Sequence, residues 1–350
     1  MGEKHIFVAT ETDIHFNLAT EKYLIEDYNP QAEILFLWKN KPVVVIGRYQ
    51  NPWEECSLGL MEKDGVALAR RCSGGGAVYQ DLGNICFTLI APRTSASSFS
   101  CAGAEQKAKN FQLVLKALQL MGLKASLSGR NDILIDGRKV SGSAFQTTKG
   151  RLCHHGTMLV KTDLSKLSAY LTPNEHKLES HGVKSVASRV ANLTEFKVQA
   201  TTDRFAACMV KAFRQDSELA SEQAFGGQCS IEVINKEKLD LYPKLRQSYE
   251  TFSSKEWNFG KSPKFTNKLT GKFSCGIVTF YLTVEKGVIT QASVASDTLH
   301  ADGVEELEKV LLGLPYDPEE IKTAQNSLEP KNNEFVCGAL ALLASLLEKL

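Results

Sequence analysis

Three consecutive glycines at residues 74–76 follow Arg70, Arg71, Cys72 and Ser73. Glycine has no side chain and tolerates unusual backbone angles, so a ligand can touch the backbone of such a segment. Successive N–H groups there can bind phosphate or carboxylate oxygens, and an arginine fork donates two hydrogen bonds to the same kind of anion. The residues therefore indicate an anion-binding loop, although a bare glycine triplet also occurs in tight turns.

The glycine loop does not match either of two common nucleotide signatures. The P-loop pattern G-x-x-x-x-G-K-[ST] is absent from this part of the chain. The dinucleotide fingerprint is also excluded, because Tyr79 stands where its third glycine would be. The function of the loop must then depend on residues that lie elsewhere in the sequence.

A second group that could do chemistry is Lys139, which the small residues Ser141, Gly142 and Ser143 follow. A lysine on a strand beside small residues can point into a pocket and hold a positive charge there. The alternative is an ordinary solvent-exposed lysine, which is the more common case. Polar residues of the segment 128–132 supply further groups close by in the sequence.

Short β-type runs surround the glycine loop. Residues 34–38 and 43–47 are separated by a polar turn and predict a hairpin. Residues 66–71 and 76–79 predict two short strands that the glycines interrupt. Residues 85–90 are mostly apolar, which predicts a strand buried on both faces.

A helix and a hairpin are expected to position Lys139. Apolar residues recur every three to four positions over residues 104–121, which predicts an amphipathic helix. The pair Asp136 and Gly137 separates two strand-like runs at 132–135 and 139–145, which is a strong hairpin signal. Lys139 then lies directly after the turn.

The pattern changes near residues 250–263, where Trp257 could anchor a linker. Beyond this point, residues 273–284 and 288–295 are strand-like, and residues 304–312 and 334–350 are helical. We predict an α+β protein with a catalytic domain at 1–248, a linker at 249–262 and a small α+β accessory domain at 263–350.

Composition excludes several classes of protein. The 350 residues carry 41 Lys and Arg against 40 Asp and Glu, so the net charge of +1 shows none of the basic excess of a nucleic-acid binder. No apolar run approaches the roughly 20 residues of a spanning helix, so we expect no membrane insertion. The nine cysteines are odd in number and form no C-x-x-C pair, which favours free thiols in a reducing compartment.

Residues 70–84 resemble the signature R-R-x-S-G-G-G-x-V-x-H-D-x-G-N of the lipoate-protein ligase A family. The resemblance continues, in the order of the chain, at residues 45–53, 129–132, 139–144, 154–157, 185–193 and 256–260. It spans the predicted first domain and enters the second. Several separated motifs in the right order are far more specific than any one of them.

The resemblance implies a biotin/lipoate ligase-like catalytic domain with mixed β-sheets and flanking helices, plus an accessory domain. It implies that lipoate and ATP, with Mg²⁺, form lipoyl-AMP and pyrophosphate. The lipoyl group then passes to a lysine of an apo lipoyl domain, in 2-oxoacid dehydrogenase E2 subunits or in the glycine cleavage H protein. We expect a monomer in the cytoplasm, or in the mitochondrial matrix if a eukaryotic transit peptide has been removed.

The resemblance also implies roles for individual residues. Lys139 is expected to be catalytic and to contact both substrates. The residues expected to bind ATP are Arg71, Gly76, Ala77, Val78, Tyr79 and Lys139. Those expected to bind lipoate are Ser73, Gly74, Gly75, Lys139 and His155. Asp132 and Asn131 are candidates for binding Mg²⁺ or for polar positioning.

One residue departs from the family signature, because Gln80 stands where the family has histidine. A glutamine can replace that histidine as a hydrogen-bond donor but not as an acid or base. His154 and His155 are adjacent on a predicted strand and point to opposite faces, so they are not expected to bind one metal ion. Cys153 is interpreted as a small buried residue rather than an acyl-transfer nucleophile.

Residues 172–189 are polar and basic and are a candidate for a lid that excludes water from the adenylate. A plain connecting loop is the alternative. Three other functions stay open at this point: a lipoyltransferase that uses only preformed lipoyl-AMP, an octanoyltransferase with Cys153 as the thioester nucleophile, and a non-catalytic lipoyl-binding protein.

Overall fold

The structure is a computed structural model that describes residues 3–92, 101–129, 131–171, 190–215, 231–259, 266–298, 301–328 and 334–348. The strands are β1 (Lys4–Ala9), β2 (Glu33–Trp38), β3 (Val43–Ile46), β4 (Ala67–Arg70), β5 (Val78–Gln80), β6 (Asn84–Pro92), β7 (Ser126–Ser128), β8 (Asp132–Ile135), β9 (Arg138–Thr148), β10 (Arg151–Leu159), β11 (Ile231–Ile234), β12 (Asn267–Phe273), β13 (Gly276–Glu285) and β14 (Val288–Ser296). The helices are α1 (Ile14–Glu26), α2 (Pro52–Glu55), α3 (Leu58–Lys63), α4 (Cys101–Leu120), α5 (Leu164–Tyr170), α6 (Leu193–Phe196), α7 (Thr202–Gln215), α8 (Lys238–Leu241), α9 (Pro243–Ser253), α10 (Lys255–Phe259), α11 (Ala301–Leu311), α12 (Pro318–Asn326) and α13 (Glu334–Leu347). Among the described helices, none is long and apolar enough to cross a membrane.

The largest sheet has eight strands in the order β11-β1-β2-β6-β10-β9-β8-β7. The pairs β11–β1 and β1–β2 are parallel, and all other pairs are antiparallel. Helices α4 and α7 cover one face with residues such as Phe111 and Phe205, and α1 and α9 cover the other with Phe16 and Phe252. Because both faces are covered, β2 and β6 can be apolar along almost their whole length.

A three-stranded sheet in the order β4-β3-β5 packs beside the α1 face of the large sheet. Alternate residues of β3 point to opposite sides, as strand geometry requires. Val43 and Val45 join the core around α1, whereas Val44 and Ile46 pack with Tyr170 of α5. The turn between β4 and β5, which holds the glycines, therefore lies near the inner face of the large sheet.

The C-terminal region is a second layer of structure with its own core. Strands β12, β13 and β14 form an antiparallel sheet. Apolar residues of β13, such as Phe280, pack against Leu307 of α11 and Leu340 of α13. Tyr49, from the first region, packs against this core, and its carbonyl accepts a hydrogen bond from the amide of Ser296 at 3.1 Å.

Several sequence expectations are confirmed. Asp136 and Gly137 form the turn between β8 and β9 with positive φ angles of 48° and 77°. Gly122 follows the predicted amphipathic helix with φ 78°, the left-handed conformation that commonly ends helices. Strand β6 is buried on both faces, as the apolar run predicted. These features depend on local backbone preferences and on burial, which the residue pattern records directly.

The predicted hairpin over residues 34–47 is wrong, because β2 lies in the eight-stranded sheet and β3 lies in the three-stranded sheet. The predicted linker at 249–262 is helical over most of its described part, since it contains the end of α9 and all of α10. Trp257 is an anchor there, and its indole N–H donates to the carbonyl of Arg70 at 2.8 Å. The division into domains stays a prediction.

Candidate active site

The site lies between the two sheets of the first region, and the pairing of strands fixes what faces it. On β10, His155 pairs with Thr88 of β6 on one side and with Ala144 of β9 on the other. Paired residues point to the same face, and so does Cys153, two positions away from His155. Helix α1 and the glycine loop approach this same face. The inner face of the large sheet is thus the floor of the site.

Arg71 holds the glycine loop in shape. Its guanidinium donates to the carbonyl oxygens of Val45 at 3.1 Å, Gly74 at 2.7 Å and Gly76 at 2.8 Å, and to Ser73 Oγ at 3.1 Å. The side chain is buried, and burial lowers its pKa to about 10. Arg71, which was predicted to bind ATP, therefore supports the backbone of the glycine loop in this structure.

The glycine loop also makes two very close backbone contacts. A side chain at Gly47 would place its Cβ 2.2 Å from the carbonyl oxygen of Gly75, so only glycine fits there. Gly75 itself has a φ of 92°, in the region that favours glycine. Its N–H donates to the carbonyl of Thr298 at 2.9 Å, which joins the loop to the C-terminal region.

Arg70 does not take the anion-neutralising role that its position beside the glycines suggested. Its guanidinium donates to backbone carbonyls of the segment 47–50 and of α10, at distances of 2.7 to 3.2 Å. Burial lowers its pKa to about 10. Arg70 therefore ties the loop before α2 to α10 through these bonds to backbone carbonyls.

A chain of buried hydrogen bonds links the glycine loop to the floor. Ser73 Oγ lies 2.7 Å from His155 Nε2, and His155 Nδ1 lies 2.9 Å from both carboxylate oxygens of Glu21 on α1. Thr88 donates to the same carboxylate at 2.6 Å, and Trp38 donates to Thr88 at 3.2 Å. Sequence reasoning found Ser73 and His155 but missed Glu21, Thr88 and Trp38.

Lys139 lies over Gly142 on the same inner face. A Cβ at Gly142 would be 3.1 Å from Lys139 Nζ, so the missing side chain makes room for the ammonium. The ammonium forms an ion pair with Asp132 at 2.7 Å, and both side chains are about one-third exposed. Asn131 donates from its side-chain amide to the carbonyl of Ser143 at 2.8 Å, which pins the end of β8 to β9.

The remaining predicted nucleotide residues line the loop through their backbones. The Tyr79 ring points away from the floor and packs against Tyr170, with ring centroids 5.6 Å apart. Ala77 packs in the same small cluster, whereas Val78 packs toward the core around α1. Gln80 is buried and accepts a hydrogen bond from Asn40, which in turn accepts one from Asn17. At this position the chain thus has an amide network where the family has histidine.

His154 and Cys153 are part of the interior. His154 lies on the opposite face from His155, within 5.5 Å of the ring centroids of Phe87, Phe111 and Phe145, and burial lowers its pKa to about 3. The two histidines therefore cannot share one metal ion. Burial also raises the pKa of the Cys153 thiol, which is 1% exposed. A buried neutral thiol is a poor nucleophile.

Two further sequence expectations concern cysteines and the lid. The side chains of seven of the nine cysteines are described, and none of these seven is part of a disulfide. The segment 172–189, the candidate lid, lies outside the described residues. Beyond it, Ala191 donates its amide to the carbonyl of Lys139 at 2.8 Å, so the chain re-enters the fold next to the lysine.

Comparisons of the sequence with known proteins agree over nearly the whole chain. Residues 13–214 match the family model described as Lipoyl protein ligase A/B catalytic domain, and residues 262–339 match Bacterial lipoate protein ligase C-terminus. A lipoate-protein ligase A from Bdellovibrio bacteriovorus is 39% identical over 342 residues, which is 97% of this chain and 96% of that protein. One from Psychrobacter cryohalolentis is 38% identical over 330 residues and 94% of each chain.

Solved structures show the same architecture. A Plasmodium falciparum LipL1 in complex with lipoate superposes with a TM-score of 0.81 at 30% identity, and covers 99% of this chain and 100% of that one. A lipoate-protein ligase A bound with ATP has a TM-score of 0.61 at 26% identity, over 74% of this chain and 99% of that one. A bipartite lipoate protein ligase from Thermoplasma acidophilum, described with its E2 lipoyl domain, has a TM-score of 0.62 at 28% identity, over 76% and 100%.

Proposed function

The chain belongs to the lipoate-protein ligase A family, and we propose how its own residues carry out the reactions of that family. It is an ATP-dependent lipoate-protein ligase, which activates lipoate to lipoyl-AMP and transfers the lipoyl group to a lysine of a lipoyl domain. The α+β fold with mixed sheets, flanking helices and a C-terminal accessory region is the architecture of those relatives. The proposed roles of individual residues rest on the contacts that these residues make in the structure.

The observation that carries the assignment is the strand register between Lys139 and His155. Gly142, under the Lys139 ammonium, pairs with Thr157, which is two residues from His155 on the same face. Gly142 and His155 are thus separated by one strand spacing across the sheet and by two residues along β10, which together give a distance of roughly 8 Å. That separation is close to the length of an extended medium-length acyl chain.

We assign the lipoate path to the floor and the glycine loop. The carboxylate of lipoate lies at Lys139, and the acyl chain runs toward Ser73 and His155. Gly74 and Gly75 have no side chains, so the chain can pass close to their backbone. The chain of buried hydrogen bonds from Ser73 through His155 to Glu21 then supports the end of the path that is farther from the reacting carboxylate.

ATP is assigned to the backbone of Gly76, Ala77, Val78 and Tyr79, with Arg71 behind it. In this structure Arg71 donates to the carbonyls of Gly74 and Gly76, so it fixes the direction of the neighbouring N–H groups. A direct contact between Arg71 and a phosphate requires the guanidinium to exchange one of these bonds. We therefore propose that Arg71 acts first through the shape of the loop.

Lys139 is the proposed catalytic residue. Its ammonium can lie between the lipoate carboxylate and the α-phosphate while the carboxylate oxygen attacks phosphorus and pyrophosphate leaves. A fixed positive charge at the point where negative charge concentrates stabilises the transition state, because the charge is already oriented before reaction. Asp132 holds the ammonium over Gly142 until the substrates arrive.

Mg²⁺ is proposed to enter with the phosphates of ATP. The carboxylate of Asp132 and the side-chain oxygen of Asn131 are of the ligand type that Mg²⁺ prefers. The same carboxylate lies 2.7 Å from the Lys139 ammonium, so a metal ion and the lysine compete for it. These residues fit the ion once Lys139 has turned to the substrates, and Mg²⁺ would then neutralise phosphate charge.

The acceptors are proposed to be apo lipoyl domains of 2-oxoacid dehydrogenase E2 subunits and of the glycine cleavage H protein. The Thermoplasma acidophilum ligase described with an E2 lipoyl domain supports the first of these. We further propose that the chain works as a monomer, in the cytoplasm or in a mitochondrial matrix. Residues 1–248 would form the catalytic domain and residues 263–350 the accessory domain, with 249–262 between them.

The decisive experiment is modification of an apo lipoyl domain, followed by intact-protein mass spectrometry. One reaction contains lipoate, Mg²⁺ and ATP, and a parallel reaction contains preformed lipoyl-AMP. We expect product in both and pyrophosphate release only in the first. Product in the lipoyl-AMP reaction but none in the reaction with lipoate, Mg²⁺ and ATP would overturn ATP-dependent activation. Product from octanoyl acyl carrier protein that is lost in Cys153→Ser would instead support thioester transfer, which the burial of Cys153 argues against.

A further inference from the structure

Three side chains with different metal-binding atoms meet beside the proposed acyl path. They are Glu21 from α1 and Cys153 and His155 from β10, and their ligand atoms all lie within 4.8 Å of one another. All three are buried. The strand period explains the arrangement, because residues 153 and 155 point to the same face and α1 packs on that face.

The donor set suits a thiophilic divalent cation. Sulfur, imidazole nitrogen and carboxylate oxygen are the ligands that Zn²⁺ uses in proteins, at about 2.3 Å for sulfur and about 2.0–2.2 Å for nitrogen and oxygen. His155 Nδ1 and the Glu21 carboxylate are 2.9 Å apart, so they need to separate by only about 0.5 Å to become two ligands of one tetrahedral ion. Cys153 is the donor that must move farther, by the order of 1 Å.

A residue outside the cluster holds the ring of His155 in place, as is common around metal-bound histidines. The second ring nitrogen of His155 is hydrogen-bonded to Ser73 Oγ at 2.7 Å, so the ring orientation is set from outside the cluster. Metal-bound histidines typically have such a partner on the other nitrogen. Among the residues that the structure describes, this is the one group of three such donors that could hold an ion.

The charges require Cys153 to be a thiolate when the ion is bound. Glu21 interacts electrostatically with the nearby Arg71 guanidinium, so one carboxylate cannot compensate a divalent cation as well. A thiolate adds the second negative charge. When an ion binds, the S–H bond of Cys153 breaks, a sulfur–metal bond forms and the proton goes to solvent.

We propose that Glu21, Cys153 and His155 form a binding site for Zn²⁺ or a similar thiophilic divalent cation, and that occupancy of this site blocks lipoate. The three side chains are almost closed to solvent and lie on the floor that the proposed acyl path follows, next to Ser73. A bound ion and the acyl chain would therefore compete for the same space. The inhibitory consequence rests on the proposed function, whereas the cation site does not.

The site is tested directly with Co²⁺ as a spectroscopic substitute for Zn²⁺. Titration of the full chain should give a near-ultraviolet sulfur-to-cobalt band that saturates at one equivalent. Cys153→Ser should lose the band, and Cys153→Ala serves as a second variant if the first does not fold. Cys275→Ala is the matched control, because Cys275 is a buried thiol in the C-terminal core. No band, or an equal band in the Cys153 variants, would overturn the site.

Inhibition is tested separately from binding. In the lipoylation assay, Zn²⁺ at a concentration that saturates the cobalt site should raise the KM for lipoate at least tenfold and leave kcat unchanged. Cys153→Ser should keep metal-free activity and be at least tenfold less sensitive to Zn²⁺. Zn²⁺ that lowers kcat without changing KM, or that inhibits Cys153→Ser equally, would overturn the block. An inactive metal-free enzyme would count against the proposed function alone, since the cobalt titration needs no activity.

Discussion

The two ends of the active site are built in different ways. At the glycine-loop end, Arg71, Ser73, His155 and Glu21 are buried and joined by hydrogen bonds of 2.7 to 3.1 Å. At the other end, Lys139 has one ion-pair partner among the described residues and is about one-third exposed. The first end is fixed before any ligand arrives, whereas the second keeps a charge that can change partners. Substitutions at the first end should cost stability, and those at the second should cost mainly catalysis.

The largest effect is expected for Lys139→Ala. Removing a single oriented charge from a transition-state site typically lowers the rate by about 10²–10³-fold. We therefore expect ATP-dependent pyrophosphate release to fall by that factor, while the melting temperature changes little because the side chain is partly exposed. Arg138→Ala, next in sequence and paired with Glu195 on the surface, is the control that should keep activity. Normal pyrophosphate release in Lys139→Ala would remove the lysine from the mechanism.

Arg71→Met tests the opposite end. The substitution keeps an unbranched apolar stem but removes the guanidinium, which leaves the carbonyls of Val45, Gly74 and Gly76 without their donor. Buried groups that lose a charged partner cost about 1–3 kcal/mol each, and part of that cost relaxes, so we expect a loss of about 2–4 kcal/mol in the free energy of unfolding. Urea denaturation measures this. A stable variant with lost activity would make Arg71 a direct ligand instead of a loop support.

Glu21→Gln should have a smaller effect on both properties. The amide still accepts from Thr88, but the charge that faces His155 is lost. We expect about 1 kcal/mol less stability, because a hydrogen bond to a charged group becomes a neutral one. A several-fold rise in the KM for lipoate, with the KM for ATP unchanged, would agree with the assigned acyl path. Equal changes in the KM for lipoate and the KM for ATP would argue that the hydrogen bonds from Glu21 through His155 to Ser73 affect the whole glycine loop. Glu62→Gln, at an exposed position of α3, is the control.

Asp132→Asn is expected to change stability least. Partly exposed ion pairs contribute roughly 0–1 kcal/mol, so the melting temperature should be nearly unchanged. If Asp132 also serves Mg²⁺, the variant needs a higher Mg²⁺ concentration for half-maximal adenylation. A Mg²⁺ titration at fixed ATP measures this shift. An unshifted midpoint would restrict Asp132 to holding Lys139 in position.

Local features of the sequence were sufficient where the backbone itself carries the signal. The turn at Asp136 and Gly137 needs positive φ at both positions, and few residue pairs adopt it readily. The hairpin over residues 34–47 failed because the same β-type pattern serves strands of two different sheets. Nothing local distinguishes a chain that turns back on its neighbour from one that crosses to another sheet.

Glu21 shows why half of the site could not be predicted. A glutamate in the middle of a helix, between Thr20 and Lys22, is typical of a solvent-exposed position. Its burial follows from the packing of α1 on the sheet face that carries His155, 134 residues away in sequence. Arg70 and Arg71 are ambiguous in a related way, because the sequence shows two identical neighbouring residues. Their side chains point in opposite directions, so that Arg70 binds the backbone of α10 and Arg71 binds the backbone of the glycine loop.

The hydrogen bond from Gly75 to Thr298 has a thermodynamic consequence. One N–H can serve one strong acceptor at a time, and here the acceptor belongs to the C-terminal region. A ligand oxygen that takes this N–H must therefore displace Thr298, so filling the site weakens the attachment of the C-terminal region by the same free energy that the attachment subtracts from ligand binding. The hydrogen-exchange rate of the Gly75 amide proton would report the size of this coupling between ligand binding and the attachment of the C-terminal region.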